Sequence, residues 1–174
     1  MTFDTLLAAG SLALLIGLII LVVAWLTENP IAAWVSNNAH IILRVIFGAA
    51  VLSSLIYSNY FNFEPCLLCW YQRIFIFPAA ILLFTDDIRK SLLLQRQVLL
   101  LTAGGFLIAL FHNYISIFPQ SGIDACGTGP SCLKLYVSQF GFVTIPLMSA
   151  ITLLAGILIT VLVMRYPQRQ IAND

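Results

Sequence analysis

Long apolar stretches without charge dominate this sequence, and the first is the most constraining. No charged residue occurs between Asp4 and Glu28. A helix needs about 20 largely apolar residues to cross the hydrocarbon core of a bilayer, and this run is long enough. Backbone groups in lipid must be satisfied within the segment itself, so a spanning run of this kind is a helix. The stretch therefore predicts a transmembrane helix over about residues 6–26.

Four more stretches have the same character, and composition places the whole chain in the membrane class. They cover about residues 41–60, 66–84, 98–118 and 142–164. Hydrophobic residues make up 61% of the chain and charged residues 9%, whereas a soluble domain has about 25% charged residues. The formal net charge of +1 lacks the basic excess of a nucleic-acid-binding protein. We predict an all-α integral membrane protein in the lipid bilayer, with no nucleic-acid partner.

The basic residues predict the direction in which the spans run, because cytoplasmic loops carry an excess of Lys and Arg. One side holds Arg89, Lys90, Arg96, Arg165 and Arg169. The loops of the other side hold only Lys134. We therefore expect residues 165–174 to be a cytoplasmic tail and the loops over residues 61–66 and 119–141 to face the periplasm or the exterior. The first stretch has no basic residue before it, which favours an uncleaved helix over a signal peptide.

All four cysteines lie on the expected outward side, where disulfides form and persist. They fall as two pairs, Cys66-x2-Cys69 and Cys126-x5-Cys132. A C-x-x-C bridge closes a very small loop and so removes little entropy from the unfolded chain. This favours a redox-active pair. Two structural disulfides remain an alternative, as does a zinc site with four thiolates, although the second pair is spaced more widely than a usual zinc knuckle.

Two polar residues near the cysteines are candidates for binding a ligand. Pro65 suggests that the third helix starts at Cys66, where the positive helix end stabilises a thiolate. Arg73 follows Cys69 by four residues and shares its helix face. A charged residue within a span is usually functional, although Arg73 is also close enough to the interface to snorkel. His112 is expected at a similar depth in the fourth helix, where it either helps to hold a polar ligand or is an ordinary helix residue with a hydrogen-bond partner.

The residues around the first pair resemble a known motif. Glu64-Pro65-Cys66-Leu67-Leu68-Cys69-Trp70-Tyr71-Gln72-Arg73 is similar to the first cysteine motif of the DsbB/BdbC family of membrane disulfide-forming proteins, and is closest to the BdbC branch. The segments Cys126–Cys132 and Phe140–Pro146 resemble that branch too, as does the spacing from His112 to Pro119. The resemblance covers about residues 41–164. Residues 1–40 are then an additional N-terminal transmembrane helix with a connecting loop.

The resemblance implies a fold and a set of residue roles. It implies a four-helix transmembrane bundle over residues 41–164, to which the first helix is added. Cys66 and Cys69 would be the pair linked to a quinone, with the Cys69 thiolate in contact with the ring and with Arg73 and His112 in the quinone-binding site. The partner thiolate would attack Cys126, and Cys132 would exchange with Cys66.

The function that follows is a quinone-dependent thiol oxidase of the bacterial cytoplasmic (inner) membrane. It would take electrons from a DsbA-like thioredoxin-fold dithiol protein and pass them to ubiquinone or menaquinone in the membrane quinone pool. A vitamin K epoxide reductase-like enzyme is one alternative. A non-enzymatic membrane protein with structural disulfides or a metal site is another. A reductant exporter would need cysteines at mid-span or at the cytoplasmic side, and the sequence places none there.

Overall fold

Five long helices make up most of the computed structural model, which describes residues 3–118, 132 and 136–166. Within these residues, five helices are long and apolar enough to cross a membrane, which confirms the predicted number of spans. They are α1 (Phe3–Leu26), α2 (Pro30–Asn59), α3 (Leu67–Thr85), α4 (Leu92–Ile117) and α5 (Ile145–Arg165).

Helices α2 and α4 begin at least six residues earlier than their apolar stretches predict, because capping residues start them. The Asn29 side chain accepts a hydrogen bond from the Ile31 amide at 3.1 Å, and Pro30 occupies the first turn of α2. Both features favour a helix start at this point. The loop that we expected before residue 41 is therefore part of α2. In the same way, Ser91 caps α4 by accepting from the Leu94 amide at 3.2 Å, six residues before the expected start.

Helices α2 to α5 form the predicted four-helix bundle. Each helix packs against the next, and α5 packs back against α2, which closes the ring. The added helix α1 lies outside this ring, against α5 and α2. Its buried residues are Ala8, Leu18, Leu21 and Ala24, whereas α5 buries residues along its whole length. The arrangement confirms the expected four helices plus one.

Small residues allow close approach within the ring. A Cβ atom added at Gly156 of α5 would lie 2.6 Å from Thr102 Cγ2 of α4 and 2.9 Å from Phe47 Cζ of α2. Small residues at helix contacts let helices in membranes gain van der Waals packing. Gly156 therefore fixes how closely α5 approaches two of its neighbours.

A short hairpin leads the chain into α5. The strands β1 (Ser138–Gln139) and β2 (Val143–Thr144) pair antiparallel. Phe140 and Gly141 adopt positive φ angles of 52° and 80° in the turn between them. The Thr144 hydroxyl then caps α5 by accepting from the Leu147 amide at 3.4 Å. Just before the hairpin, the Tyr136 ring stacks on Phe63 at 4.6 Å, three residues before Cys66.

Two arginines bond to the connection between α3 and α4 at the opposite end of the bundle. Arg44 donates from Nε to the Leu83 carbonyl at 2.7 Å and from Nη2 to the Asp86 carbonyl at 3.1 Å, so it satisfies carbonyls at the C-terminus of α3. Arg89 pairs with Asp87 at 2.6 Å. Hydrogen bonds from Arg89 lower the pKa of Asp87 to about 2. Both contacts fix the connection between α3 and α4.

Candidate functional site

The Cys66–Cys69 pair lies at the start of α3. Cys66 is the N-cap residue, and its carbonyl accepts a hydrogen bond from the Trp70 amide at 3.0 Å. The two side chains are free thiols, and their sulfur atoms are 3.1 Å apart. A disulfide needs about 2.05 Å between its sulfurs, so a small movement would close the bond. This geometry suits a pair that alternates between dithiol and disulfide.

The environment of Cys66 favours its thiolate. The residue precedes the membrane-spanning segment, which begins at Leu67. The hydrogen bond with the Cys69 thiol lowers the pKa of Cys66; burial acts against this effect, and His112 adds to it. The backbone N–H groups at the N-terminus of a helix also favour a negative charge. Since the thiolate is the nucleophilic form of cysteine, Cys66 is activated for thiol–disulfide exchange.

The buried ring of His112 connects the first cysteine pair to Cys132. His112 is 2% exposed, and Cys132 is 4% exposed. His112 Nε2 lies 3.9 Å from Cys66 Sγ and 3.3 Å from the Cys132 carbonyl oxygen. The two cysteine sulfurs and a ring nitrogen of His112 all lie within 4.8 Å of one another. Cys132 is itself disulfide-bonded, so a disulfide sulfur lies beside a free thiol.

Gln72 holds the other side of the His112 ring. Its amide nitrogen is 3.2 Å from His112 Nδ1, and the Gln72 side chain is 4% exposed. When this amide donates to Nδ1, the ring proton lies on Nε2, the nitrogen that faces Cys66 and Cys132. In that arrangement Gln72 orients the ring and favours the tautomer that is protonated on Nε2. It lies one turn beyond Cys69, and a polar side chain so early in an apolar helix is the signal that identifies it in the sequence.

Arg73 is held against α2. Its Nη2 atom donates to the Ser54 carbonyl at 3.0 Å and to the Ser58 hydroxyl at 3.1 Å. The guanidinium carbon also lies 5.2 Å from the centre of the Trp70 ring, within the range of a cation–π interaction. These contacts fix a positive charge near the second thiol of the pair. The spacing of Ser54 and Ser58, one turn apart, does not by itself distinguish them from the other small residues of α2.

A cavity of about 380 Å³ adjoins these groups. Cys66, Cys69, Arg73 and His112 all line it, together with apolar residues of α1, α2 and α5. Ser149 of α5 also lines the cavity, and its buried hydroxyl has no hydrogen-bond partner among the described residues. Among the described residues, the cavity wall is therefore mostly apolar, with a thiol pair, the Arg73 guanidinium, the Glu64 carboxylate and the Ser149 hydroxyl as chemically distinct groups.

Five of the six candidate residues from the sequence come together at one end of the bundle. Cys66 and Cys69 contact each other, Cys132 and His112 lie beside them, and Arg73 is one turn further along α3. Cys126, the sixth candidate, lies outside the described residues. His112 was expected beside a quinone ring, and it does line the cavity. Its Nε2 atom, however, faces Cys66 and the Cys132 carbonyl.

The sequence of residues 36–164 matches the family "Disulfide bond formation protein DsbB". This chain belongs to the DsbB family. The match begins within α2 and ends in α5, so it covers the four-helix ring and leaves α1 outside. Family membership identifies a disulfide-forming membrane protein and confirms the resemblance carried by the cysteine motifs.

Individual relatives in the DsbB family cover much of the chain. The SPbeta prophage-derived disulfide bond formation protein B of Bacillus subtilis (strain 168) is 43% identical over 101 residues, which are 58% of this chain and 68% of that protein. A probable disulfide formation protein of Oceanobacillus iheyensis is 31% identical over 138 residues, or 78% of this chain and 94% of its own. One from Chlamydia caviae is 36% identical over 119 residues, 68% of this chain and 86% of its own. No solved structure matches the chain.

Proposed function

We propose that this protein is a quinone-dependent thiol oxidase that reoxidises an extracytoplasmic thioredoxin-fold dithiol protein of the DsbA type. One observation carries the proposal. Cys66 of the first pair lies beside Cys132, and both residues of the pair line a cavity with Arg73. Electrons arriving at Cys132 therefore have a route through the first pair to a ligand in the cavity. Membership in the DsbB family supports the same direction of transfer.

The cavity fits a quinone by the chemistry of its wall. A quinone is a flat apolar ring with two carbonyl oxygens, which need hydrogen-bond donors or a cation when they are buried. The cavity offers the Arg73 guanidinium and the unpartnered Ser149 hydroxyl within a mainly apolar lining. Arg73 and His112 would hold the ring against Cys69. A bound ubiquinone or menaquinone would supply the acceptor for two electrons and two protons.

Arg73 has a defined electrostatic role in this scheme. A cysteine thiolate and a ligand oxygen that gains electrons are both negative, and the neighbouring Cys66 and His112 side chains are buried. A fixed cation stabilises such charges far more there than in water. The bonds to Ser54 and Ser58 keep the guanidinium in place before the reaction, so little reorganisation is required.

The thiol steps are successive attacks of a thiolate on a disulfide sulfur. A partner thiolate attacks Cys126, forming a mixed disulfide and releasing the Cys132 thiolate. Cys132 attacks Cys66 of the oxidised first pair and releases Cys69 as a thiolate. The second partner thiolate then attacks the partner sulfur of the mixed disulfide, which forms the partner disulfide and releases the Cys126 thiolate. Cys126 attacks Cys132 in the Cys66–Cys132 disulfide, which restores the Cys126–Cys132 disulfide and releases the Cys66 thiolate.

One cycle moves two electrons and leaves a reduced first pair beside an oxidised second pair. Among the described cysteines, Cys66 and Cys69 are free thiols and Cys132 is disulfide-bonded, which is compatible with this step of the cycle. Transfer to the acceptor in the cavity would then restore the Cys66–Cys69 disulfide. A strongly oxidising partner, with a potential of about −120 mV in the case of DsbA, requires an acceptor that is more oxidising still.

The proposal includes an orientation in a bacterial cytoplasmic membrane. Arg44, Arg89, Lys90 and Arg165 lie at or near the end of the bundle opposite the cysteines. By the positive-inside rule this end faces the cytoplasm, and the cysteines face the periplasm or exterior, where the partner is. The tail over residues 165–174 would then be cytoplasmic, and residues 167–174 lie outside the described part of the chain.

A quinone-reduction assay tests the function. Purified protein in detergent is mixed with reduced DsbA-type protein and decylubiquinone or menadione, and quinone absorbance is followed. Wild-type protein should reduce the quinone, whereas Cys69→Ser should still form a mixed disulfide with the partner but reduce no quinone. Failure of wild-type protein with both quinones, with its cysteines verified as oxidised at the start, would overturn the proposal.

One observation favours a second function, metal binding. Cys66, His112 and Cys132 offer three ligand atoms within 4.8 Å of one another, and thiolate with imidazole is a usual zinc donor set. Reduction of the Cys132 disulfide would be needed before its sulfur could bind as a thiolate. The metal content of reduced protein after incubation with Zn²⁺ and desalting separates the two functions, because a metal protein would retain zinc in stoichiometric amount and reduce no quinone.

A further inference from the structure

Helix α1 contributes to the cavity that the redox groups line, although it lies outside the family match. The match begins at residue 36, whereas α1 ends at Leu26. The α1 residues that line the cavity are Leu6, Leu7, Gly10, Ser11 and Leu14. They recur every three to four positions and so form a single stripe on one face of the helix. Cys66, Cys69 and Arg73 line the same cavity from α3.

The position of α1 is fixed at the end of the bundle where the cavity lies. The Tyr57 hydroxyl of α2 donates to Asp4 Oδ1 at 2.9 Å. The Phe3 ring packs edge-on against Tyr57 at 5.5 Å and stacks on Phe61 at 5.8 Å. Phe63 then continues this aromatic cluster to Tyr136, at 4.6 Å. These contacts hold the first turn of α1 against the end of α2 and the chain that leads to Cys66, and its stripe forms part of the cavity wall.

Gly10 provides space within that stripe. A Cβ atom added there would have nothing within 4 Å, so the backbone of α1 borders an open volume at this point. Gly17 is also open by the same criterion, but it lies two turns further along the same face and is not among the lining residues. Gly10 therefore lines the cavity and Gly17 does not, although an added Cβ atom meets nothing within 4 Å at either position.

We propose that α1 is a wall of the quinone-binding site, and that Gly10 leaves the room that the quinone occupies. The inference rests on the proposed quinone use of the protein and adds a helix outside the DsbB family match to the site. Because the α1 stripe is apolar except for Ser11, it would contact ring substituents and the first part of the isoprenoid tail. The thiols and Arg73 of α3 would contact the reacting part of the ring.

Two measurements on the full-length protein test this inference. In the first, the equilibrium dissociation constant of decylubiquinone is measured for oxidised wild-type protein and for the variants Gly10→Leu and Gly17→Leu. We expect Gly10→Leu to weaken binding at least tenfold, the equivalent of about 1.4 kcal/mol, and Gly17→Leu to bind as wild type. Exchange with the reduced partner protein in the absence of quinone should be equal in all three, which shows that Gly10→Leu is folded.

The second measurement does not depend on a variant. Wild-type protein is labelled with a photoactivatable azidoquinone, and the modified peptides are identified by mass spectrometry. Labelling within residues 6–14, suppressed by excess decylubiquinone, is the expected result. If wild-type protein binds and reduces quinone but Gly10→Leu binds equally well and α1 is unlabelled, the inference is wrong and the proposed function stands. If wild-type protein binds no quinone, the proposed function fails and the inference fails with it.

Discussion

Cys66 and Cys132 belong to different cysteine pairs, yet their sulfur atoms lie within 4.8 Å of each other beside the ring of His112. Cys66 is a free thiol at the start of α3, and Cys132 is a disulfide-bonded residue that precedes the β1–β2 hairpin. A side-chain rotation can bring two sulfurs this close to bonding distance. This proximity suits thiol–disulfide exchange between the two pairs.

The first prediction concerns the approach of Cys66 to Cys132. With Cys69 and Cys126 both changed to Ser, the remaining Cys66 and Cys132 should form a disulfide on mild oxidation, because their sulfurs are already neighbours. Mass spectrometry of the proteolysed, alkylated protein would detect the linked peptides. The matched control replaces Cys66 and Cys126 and leaves Cys69 with Cys132. Equal yields of linked peptide from both variants would show that the specific approach of Cys66 to Cys132 does not exist.

The second prediction concerns Gln72. Replacing it with Leu removes the hydrogen bond to His112 Nδ1, and an unsatisfied buried group costs about 1–3 kcal/mol of stability. Gln95→Leu is the control, because Gln95 is also buried and donates to the Ile88 carbonyl at 2.8 Å, far from the cysteines. Both variants should unfold at lower temperature than wild type. Only Gln72→Leu should slow the reduction of the Cys66–Cys69 pair by the partner, as followed by thiol alkylation; equal exchange rates would remove its positioning role.

The third prediction concerns the charge of Arg73. Hydrogen bonds to charged groups contribute about 1.5–3 kcal/mol, so Arg73→Gln should lower kcat/KM for quinone by about tenfold to a hundredfold. All four cysteines should still pair and exchange with the partner. Arg96→Gln removes an equal charge from an exposed position at the start of α4 and should leave kcat/KM unchanged. An Arg73→Gln enzyme with full turnover and wild-type KM would contradict the role given to the guanidinium.

The fourth prediction concerns packing of the ring. Gly156→Ala places a Cβ atom 2.6 Å from Thr102 Cγ2 and 2.9 Å from Phe47 Cζ, and overpacking of this kind costs about 1–3 kcal/mol. Gly17→Ala meets nothing within 4 Å and should be neutral or slightly stabilising, since Ala is the better helix former. Thermal unfolding in detergent compares the two. A Gly156→Ala variant as stable as Gly17→Ala would show that the helices can separate without cost.

The fifth prediction concerns acid stability at the α3–α4 connection. The bonds from Arg89 lower the pKa of Asp87 from 3.8 to about 2. A carboxyl whose pKa is lower in the folded state contributes stability above its unfolded pKa and loses it as the pH falls through the folded value. The difference in unfolding temperature between wild type and Asp87→Asn should therefore be full above about pH 4 and shrink towards about pH 2. A difference that is constant over this range would show that the ion pair adds no stability.

Much of the fold could be predicted from the sequence because lipid restricts the choices. Uncharged runs of spanning length must be helices, and the five runs became α1 to α5. The helix starts were less predictable, since Asn29 and Ser91 extend α2 and α4 beyond their apolar cores through local hydrogen bonds. Hydropathy measures the span and contains no information about capping.

The candidate site was predictable only in part, because chemistry is visible in a sequence and contacts are not. The C-x-x-C pair, Arg73 and His112 stand out as reactive or polar residues among apolar ones. The partners of those residues, Gln72 for His112 and Ser54 for Arg73, depend on how α3 packs against α4 and α2. The position of α1 at the cavity depends likewise on the Asp4–Tyr57 contact, which joins residues 53 positions apart.

The ratio of quinone reduced to partner dithiol oxidised in a single turnover tests the central claim most directly. Protein with both cysteine pairs oxidised is mixed, without oxygen, with a limiting amount of reduced DsbA-type protein and an excess of decylubiquinone. Dithiol loss is measured by alkylation, and quinone loss by absorbance. The account predicts one quinone reduced for each partner dithiol oxidised, and none when Cys69 is Ser. Oxidation of the partner without equivalent quinone reduction would contradict it, because the electrons would then leave the cysteines by a route other than the cavity.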